Sequence, residues 1–164
     1  MKYAVWNNKG GVGKTFLCFM LAAEYARLHP TKTVVVIDMC PQANISEVFL
    51  GGNGRGSSRL DKILLENDRK TIGGYFDKRL SRPDNKTGTE SEYLQHVCKY
   101  AEDLPSNLWL VAGDPSLELQ VQSINQSASI NLPEDRWKNV HSWVIDLEDA
   151  INTRFNSNTN FKRF

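Results

Sequence analysis

The stretch Lys9-Gly10-Gly11-Val12-Gly13-Lys14-Thr15 decides the fold of this chain. A short β-prone run, predicted to be a strand over 2–7, precedes it, and a predicted helix over 14–28 follows it. A strand, a glycine-rich loop and a Lys-Thr pair that opens a helix form the context of a phosphate-binding loop. Glycine lacks a Cβ, so backbone N–H groups can turn toward phosphate oxygens, and the helix N-terminus adds further donors.

The side chains of this loop have separate expected roles. Lys14 is expected to reach the β- and γ-phosphates of a nucleotide, and the Thr15 hydroxyl is expected to bind Mg²⁺. The predicted nucleotide-binding residues are Lys9, Gly10, Gly11, Val12, Gly13, Lys14, Thr15 and Phe16.

A second apolar run, 33–38, predicts a buried parallel strand, because it is apolar on both faces. With the strand and the helix before it, this run predicts a right-handed βαβ unit. Ligands of such sheets bind at the carboxyl ends of the strands, and both the glycine-rich loop and Asp38 fall at that edge. A third strand is predicted over 107–114.

Further helices are predicted from apolar residues at helical spacing. They cover 59–67, 71–80 and 133–155, with one or two helical turns within 93–100. The apolar face predicted for the helix over 14–28 consists of Leu17, Met20, Leu21, Tyr25 and Leu28, interrupted by Glu24. Two polar, glycine-containing segments, 51–58 and 81–92, are predicted to be flexible loops.

Two motifs resemble the ParA/MinD family of dimeric ATPases. The loop has a lysine, Lys9, ahead of the glycine pair, and the order D-x-x-P-Q-x-N runs from Asp38 to Asn44. The resemblance implies an α/β fold, with a P-loop NTPase-like parallel sheet flanked by helices. It also implies an ATP-bound homodimer in which Lys9 crosses the interface. The implied catalytic residues are Lys9, Lys14 and Asp38, and the implied Mg²⁺ residues are Thr15 and Asp38.

The chain departs from the family pattern at two positions. Cys40 stands where the family has a second aspartate that positions the attacking water, and a thiol is a weak hydrogen-bond acceptor. Phe16 stands where the family has a threonine that contacts the α-phosphate. These differences leave two interpretations open: a hydrolysing ATPase, and an ATP-binding switch with little or no hydrolysis.

The Walker B strand of the family is expected after the helix over 133–155. The run Val144-Ile145-Asp146 resembles such a strand, but the helical period around it favours a helix. We therefore expect 1–164 to be a single ParA-like domain that is truncated, lacking the Walker B strand and the carboxy-terminal half. In the family that half carries the adenine-contacting loop and much of the DNA-binding surface.

The composition indicates the cellular location of the protein rather than its activity. Lys and Arg number 20 and Asp and Glu 19, so no strongly basic surface is indicated. Cys18, Cys40 and Cys98 form no CxxC pair, and no apolar run is long enough to cross a bilayer, so the sequence predicts a cytoplasmic protein.

The expected function is a nucleotide-dependent dimerisation switch in plasmid or chromosome partitioning. The resemblance implies a ParB-like partner and non-specific DNA, the latter bound through regions absent here. The alternatives are a MinD-like spatial regulator and a small-molecule kinase that shares the P-loop. The D-x-x-P-Q-x-N run disfavours the kinase.

Overall fold

The computed structural model describes residues 2–7, 9–81, 90–120, 122 and 135–156. Its helices are α1 (Lys14–Leu28), α2 (Asn44–Phe49), α3 (Arg55–Leu65), α4 (Ile72–Ser81) and α5 (Asp135–Asn156). Its strands are β1 (Val34–Ile37), β2 (Leu94–His96) and β3 (Leu108–Val111), and two short 3₁₀ helices cover Glu90–Tyr93 and Val97–Lys99.

The described strands form a mixed three-stranded sheet in the order β1-β3-β2. β1 and β3 are parallel, with Val34 opposite Leu108 and Ile37 opposite Val111. β2 is antiparallel to β3. The α/β fold class is therefore confirmed, with a parallel pair of strands and helices on both faces of the sheet. The sheet is mixed, because β2 lies within 93–100, where one or two helical turns were predicted, and pairs antiparallel with β3.

Alternate residues of the sheet face two apolar cores. Val36 and Leu110 lie in a core formed with α1, α2 and α3. Val111 lies in a second core formed with α4 and α5, and Ile37 and Trp109 pack against that core. Because helices cover both faces, the strands read as continuous apolar runs rather than as alternating ones.

The packed face of α1 is not the predicted one. Ala23 and Ala26 are buried, and the Phe19 ring lies 5.3 Å from the Phe49 ring of α2. The face predicted from periodicity points away from this core, with Leu28 72% exposed and Leu17 51% exposed. α1 is apolar on both sides, and its small residues let it approach β1 and α2 more closely than its leucines would.

The strand predicted over 2–7 is absent from the described structure. These residues have no regular secondary structure and are exposed, with Tyr3 81% and Trp6 77% exposed. A strand forms only where a neighbouring strand supplies hydrogen-bond partners. No described strand lies beside this run to supply those partners.

Other boundaries shift by a few residues. α3 begins at Arg55, inside the segment 51–58 that was predicted as a loop. α5 covers Val144, Ile145 and Asp146, so the helical interpretation of that run is confirmed over the Walker B one. Its buried residues include Trp143 rather than Val144, which is exposed. Residues 82–89 of the second predicted loop, and 133–134 of the predicted helix, lie outside the described residues.

Candidate nucleotide-binding site

The glycine-rich loop reaches α1 through two left-handed residues. Gly11 has φ +70° and Gly13, the residue before α1, has φ +82°. Residues with a Cβ adopt this conformation at an energetic cost, so glycine is required here. No atom lies within 4 Å of a Cβ built on Gly10, Gly11 or Gly13, so the space beside the loop is open.

The Lys14 side chain forms a hydrogen bond with the backbone of the loop. Its Nζ donates a hydrogen bond to the Lys9 carbonyl oxygen at 2.8 Å. The Lys9 N–H in turn donates to Asn7 Oδ1 at 2.8 Å. An ammonium group has three N–H donors, and this contact uses one of them. Thr15 is half-buried in the first turn of α1, while the Phe16 side chain is 70% exposed.

Asp38 lies at the carboxyl end of β1, where three donors converge on its carboxylate. Oδ1 accepts the Cys40 N–H at 3.0 Å. Oδ2 accepts both the N–H of Ser46 at 3.1 Å and its hydroxyl at 2.7 Å. The Ser46 Oγ also accepts the Gly113 N–H at 2.8 Å, at the end of β3. Ser46 therefore ties the ends of two neighbouring parallel strands to the start of α2.

Burial determines the electrostatics of this cluster. It raises the pKa of Asp38 above the usual carboxyl value, and the hydrogen bonds from Ser46 and Cys40 offset part of that rise. The pKa of the Cys18 thiol is also raised, first by burial and then by the negative charge of Asp38. Cys18 lies one turn into α1 and packs against the core that contains Val36 of β1 and Ala43.

The two departures from the family pattern are both at the surface. Cys40 is exposed just beyond the end of β1, and its backbone rather than its thiol contacts Asp38. Phe16 points its ring into solvent at the start of α1. Neither side chain can donate a strong hydrogen bond to a phosphate oxygen.

A magnesium ion at this site would have to be held mainly by a nucleotide. Among the residues that the structure describes, no group of three or more His, Cys, Asp or Glu side chains could hold a metal by itself. Mg²⁺ usually keeps several waters and binds through one or two carboxylates and substrate phosphates. Each carboxylate oxygen has two lone pairs, and Asp38 Oδ1 uses one of them for Cys40, so it can accept a metal-bound water.

Three contributors to this site were not identified from the sequence. Ser46 and Gly113 complete the hydrogen bonds around Asp38, and Asn7 binds the Lys9 backbone. A serine inside a short helix and a glycine after a strand carry no periodic signal. Asn7 lies next to the loop. Asparagine side chains often hydrogen-bond to the backbone two residues later in the chain, and this tendency could have identified Asn7.

An α/β sheet with a glycine-rich loop at a helix start, and a buried aspartate at the neighbouring strand end, defines a P-loop nucleotide-binding domain. The family model described as the CobQ/CobB/MinD/ParA nucleotide binding domain matches residues 3–164. The chain belongs to this family. Searches of curated proteins and of solved structures returned no match. Within the described residues, no helix is both long and apolar enough to cross a membrane.

Proposed function

We propose that this protein is a ParA-like ATP-binding switch that dimerises when it binds MgATP. The observation that carries the proposal is the open loop between Lys9 and α1, with left-handed glycines on either side of Val12 and the Lys14 ammonium lying across it. The loop, the helix start and the lysine together supply the donors that a triphosphate requires.

Binding of MgATP is the first test. Lys14→Ala removes a charged donor worth roughly 10- to 100-fold in affinity. Lys62→Ala, on an exposed position of α3, is the matched control and is expected to bind like the unmodified protein. Titration with a fluorescent ATP analogue measures both. Equal affinities for the two variants would refute the phosphate role of the loop.

In this proposal Thr15 and Asp38 serve the magnesium ion. The Thr15 hydroxyl would bind the ion, and Asp38 would help to hold the ion and its water shell. Three protein donors already contact the Asp38 carboxylate, so contact with the ion through a bound water is favoured over direct binding. Thr15→Ala is expected to lower the affinity for MgATP more than the affinity for ATP in the presence of EDTA.

Lys9 acts across the dimer in this proposal, as the family resemblance implies. Its side chain is exposed, whereas its backbone N–H and carbonyl oxygen are both hydrogen-bonded. This arrangement suits a residue that contacts a second molecule. Lys9→Ala is expected to leave nucleotide binding to the monomer intact and to abolish ATP-dependent dimerisation. Related groups in phosphoryl transfer contribute on the order of 10³–10⁵ in rate. Dimerisation that is unchanged in Lys9→Ala would refute this role.

A second candidate is an ATP-binding switch with little or no hydrolysis, and the observation that favours it is Cys40. Its thiol is exposed at the site but cannot act as a carboxylate does toward an attacking water. Steady-state release of phosphate, compared between the unmodified protein and Cys40→Asp, separates the candidates. Strong turnover in the unmodified protein removes the second one, whereas a large gain in Cys40→Asp supports it.

Family membership supports a role in plasmid or chromosome partitioning but does not distinguish between the two. We extend the proposal to a cytoplasmic setting, a ParB-like partner and non-specific DNA. A MinD-like spatial regulator is the alternative, and ATP-dependent binding to anionic vesicles in place of DNA would favour it.

A further inference from the structure

We propose that Asn7 is a positioning residue that fixes Lys9 for its contact with the partner subunit. The inference rests on the proposed function of Lys9. Its observation is the hydrogen bond from the Lys9 N–H to Asn7 Oδ1 at 2.8 Å, two residues back along the chain. Asn7 itself is exposed and lies outside the glycine-rich loop, so it need not touch the nucleotide to act.

The backbone of Lys9 is anchored at both of its polar groups. Asn7 binds the N–H, and the Lys14 ammonium binds the carbonyl oxygen at 2.8 Å. Gly10 follows directly, and no atom lies within 4 Å of a Cβ built on it, so no packing contact restrains the chain on that side. These two hydrogen bonds therefore restrain the backbone from which the Lys9 side chain projects.

Nucleotide binding changes the balance between the two anchors. When phosphate oxygens attract the Lys14 ammonium, its bond to the Lys9 carbonyl weakens, because the ammonium group moves toward the phosphates. The acceptor in the bond to Asn7 is an amide oxygen, which a phosphate does not attract, and it holds the Lys9 N–H toward Asn7. Asn7 thus keeps Lys9 oriented in the state in which Lys9 has to meet a second molecule, and this orientation lowers the entropy cost of association.

The size of the effect follows from one neutral hydrogen bond in each loop. Loss of such a bond corresponds to about a fivefold change in an equilibrium constant. The bond is already formed in the monomer, so this value is an upper limit for each loop. A symmetric dimer contains two loops, so Asn7→Ala is expected to weaken ATP-dependent dimerisation by up to about 25-fold. Nucleotide binding to the monomer is expected to change by less than about twofold, because the phosphates contact other groups.

Four variants test the inference: Asn7→Ala, Asn7→Asp, Asn67→Ala and Lys9→Ala. Asn7→Asp keeps the oxygen acceptor and is expected to restore dimerisation, while Asn67→Ala, in an exposed turn, serves as the control. Sedimentation velocity at saturating non-hydrolysable ATP analogue measures the dimerisation constant, and a fluorescent ADP analogue measures binding to the monomer. Amide hydrogen exchange of Lys9 in the nucleotide-free monomer is expected to accelerate in Asn7→Ala and to stay slow in Asn7→Asp.

The outcomes separate this inference from the proposed function. Loss of dimerisation in Lys9→Ala with full dimerisation in Asn7→Ala overturns the role of Asn7 and leaves that of Lys9. Full dimerisation in Lys9→Ala overturns both. Unchanged Lys9 exchange in Asn7→Ala overturns the positioning role even where the protein forms no dimer. Weakened dimerisation that Asn7→Asp fails to restore also contradicts it.

Discussion

Removing the Ser46 hydroxyl should destabilise the fold more than most serine substitutions. The Ser46 side chain is completely buried, donates to Asp38 Oδ2 at 2.7 Å and accepts the Gly113 N–H at 2.8 Å. Ser46→Ala therefore deletes a hydrogen bond to a buried carboxylate, worth about 1.5–3 kcal/mol. It also leaves the Gly113 amide without this acceptor, at a cost of about 1–3 kcal/mol. The two contributions overlap, so we expect a loss of about 3 kcal/mol.

Urea unfolding followed by circular dichroism at pH 7 measures the change in the free energy of unfolding. For a domain of this size, a loss of about 3 kcal/mol lowers the melting temperature by roughly 6–12 °C. Ser58→Ala is the matched control, because Ser58 is exposed and its hydroxyl donates to the Gly54 carbonyl at a longer 3.2 Å. The control should remain within about 0.5 kcal/mol of the unmodified protein.

The reasoning fails if Ser46→Ala is as stable as Ser58→Ala. Such a result would mean that the ends of β1 and β3 are held by packing alone. It would also mean that a water or a backbone shift satisfies the Gly113 amide at little cost. A loss that becomes smaller at low pH would support the Asp38 part of the reasoning, because a protonated carboxyl needs fewer donors, whereas the Gly113 part should persist.

Three further predictions concern pH, space and charge. Burial raises the pKa of Asp38 above the usual 3.8, so the folded state holds this proton more tightly than the unfolded state does. The contribution of Asp38 to stability is therefore fully present below pH 3.8 and is lost as pH rises through the pKa of the folded state. Urea midpoints of the unmodified protein and of Asp38→Asn, measured between pH 3.5 and 7, test this. A contribution that grew with pH would contradict it. Gly113→Ala should cost about 1–3 kcal/mol, since its Cβ would lie 2.9 Å from Asp38 Oδ2; an unchanged melting temperature would show that the strand end can move aside. Arg79→Ala should cost about 3–5 kcal/mol, because it removes the guanidinium that lies 2.7 Å from the buried Asp146 carboxylate. Arg27→Ala, whose ion pair with Glu24 is exposed, should change the urea midpoint little, and equal losses in the two arginine variants would refute the role of burial.

The parts of the fold that the sequence predicted are those with long or repeated patterns. The apolar runs of β1 and β3, and the helical spacing of α1 and α5, extend over enough residues to identify each element. The loop and Asp38 were found because their chemistry demands particular residue types in order. Each of these predictions depends on local information, which the sequence contains directly.

The failures depend on partners that are distant along the chain. Residues 2–7 have strand propensity, but pairing requires a neighbouring strand. α1 is apolar on both sides, so periodicity alone identifies the helix without showing that Ala23 and Ala26 face the core. β2 is three residues long and is defined by its ladder with β3. Ser46 matters because it meets Asp38 and Gly113, and neither contact is visible from its own neighbours in sequence.

The candidate site has two parts that differ in how they are held. The Asp38 part is buried and satisfied by hydrogen bonds from two strand ends and α2, whereas the loop from Lys9 to Gly13 is exposed and is held by two hydrogen bonds to Lys9. Substitutions in the first part should therefore lower stability before they lower binding. Substitutions at Lys14 should lower binding with little effect on stability, because its single described hydrogen bond is exposed. If Ser46→Ala lost nucleotide affinity while keeping its melting temperature, the two parts would have to be coupled through α1, which carries the loop at one end and packs against the core that contains Val36 of β1.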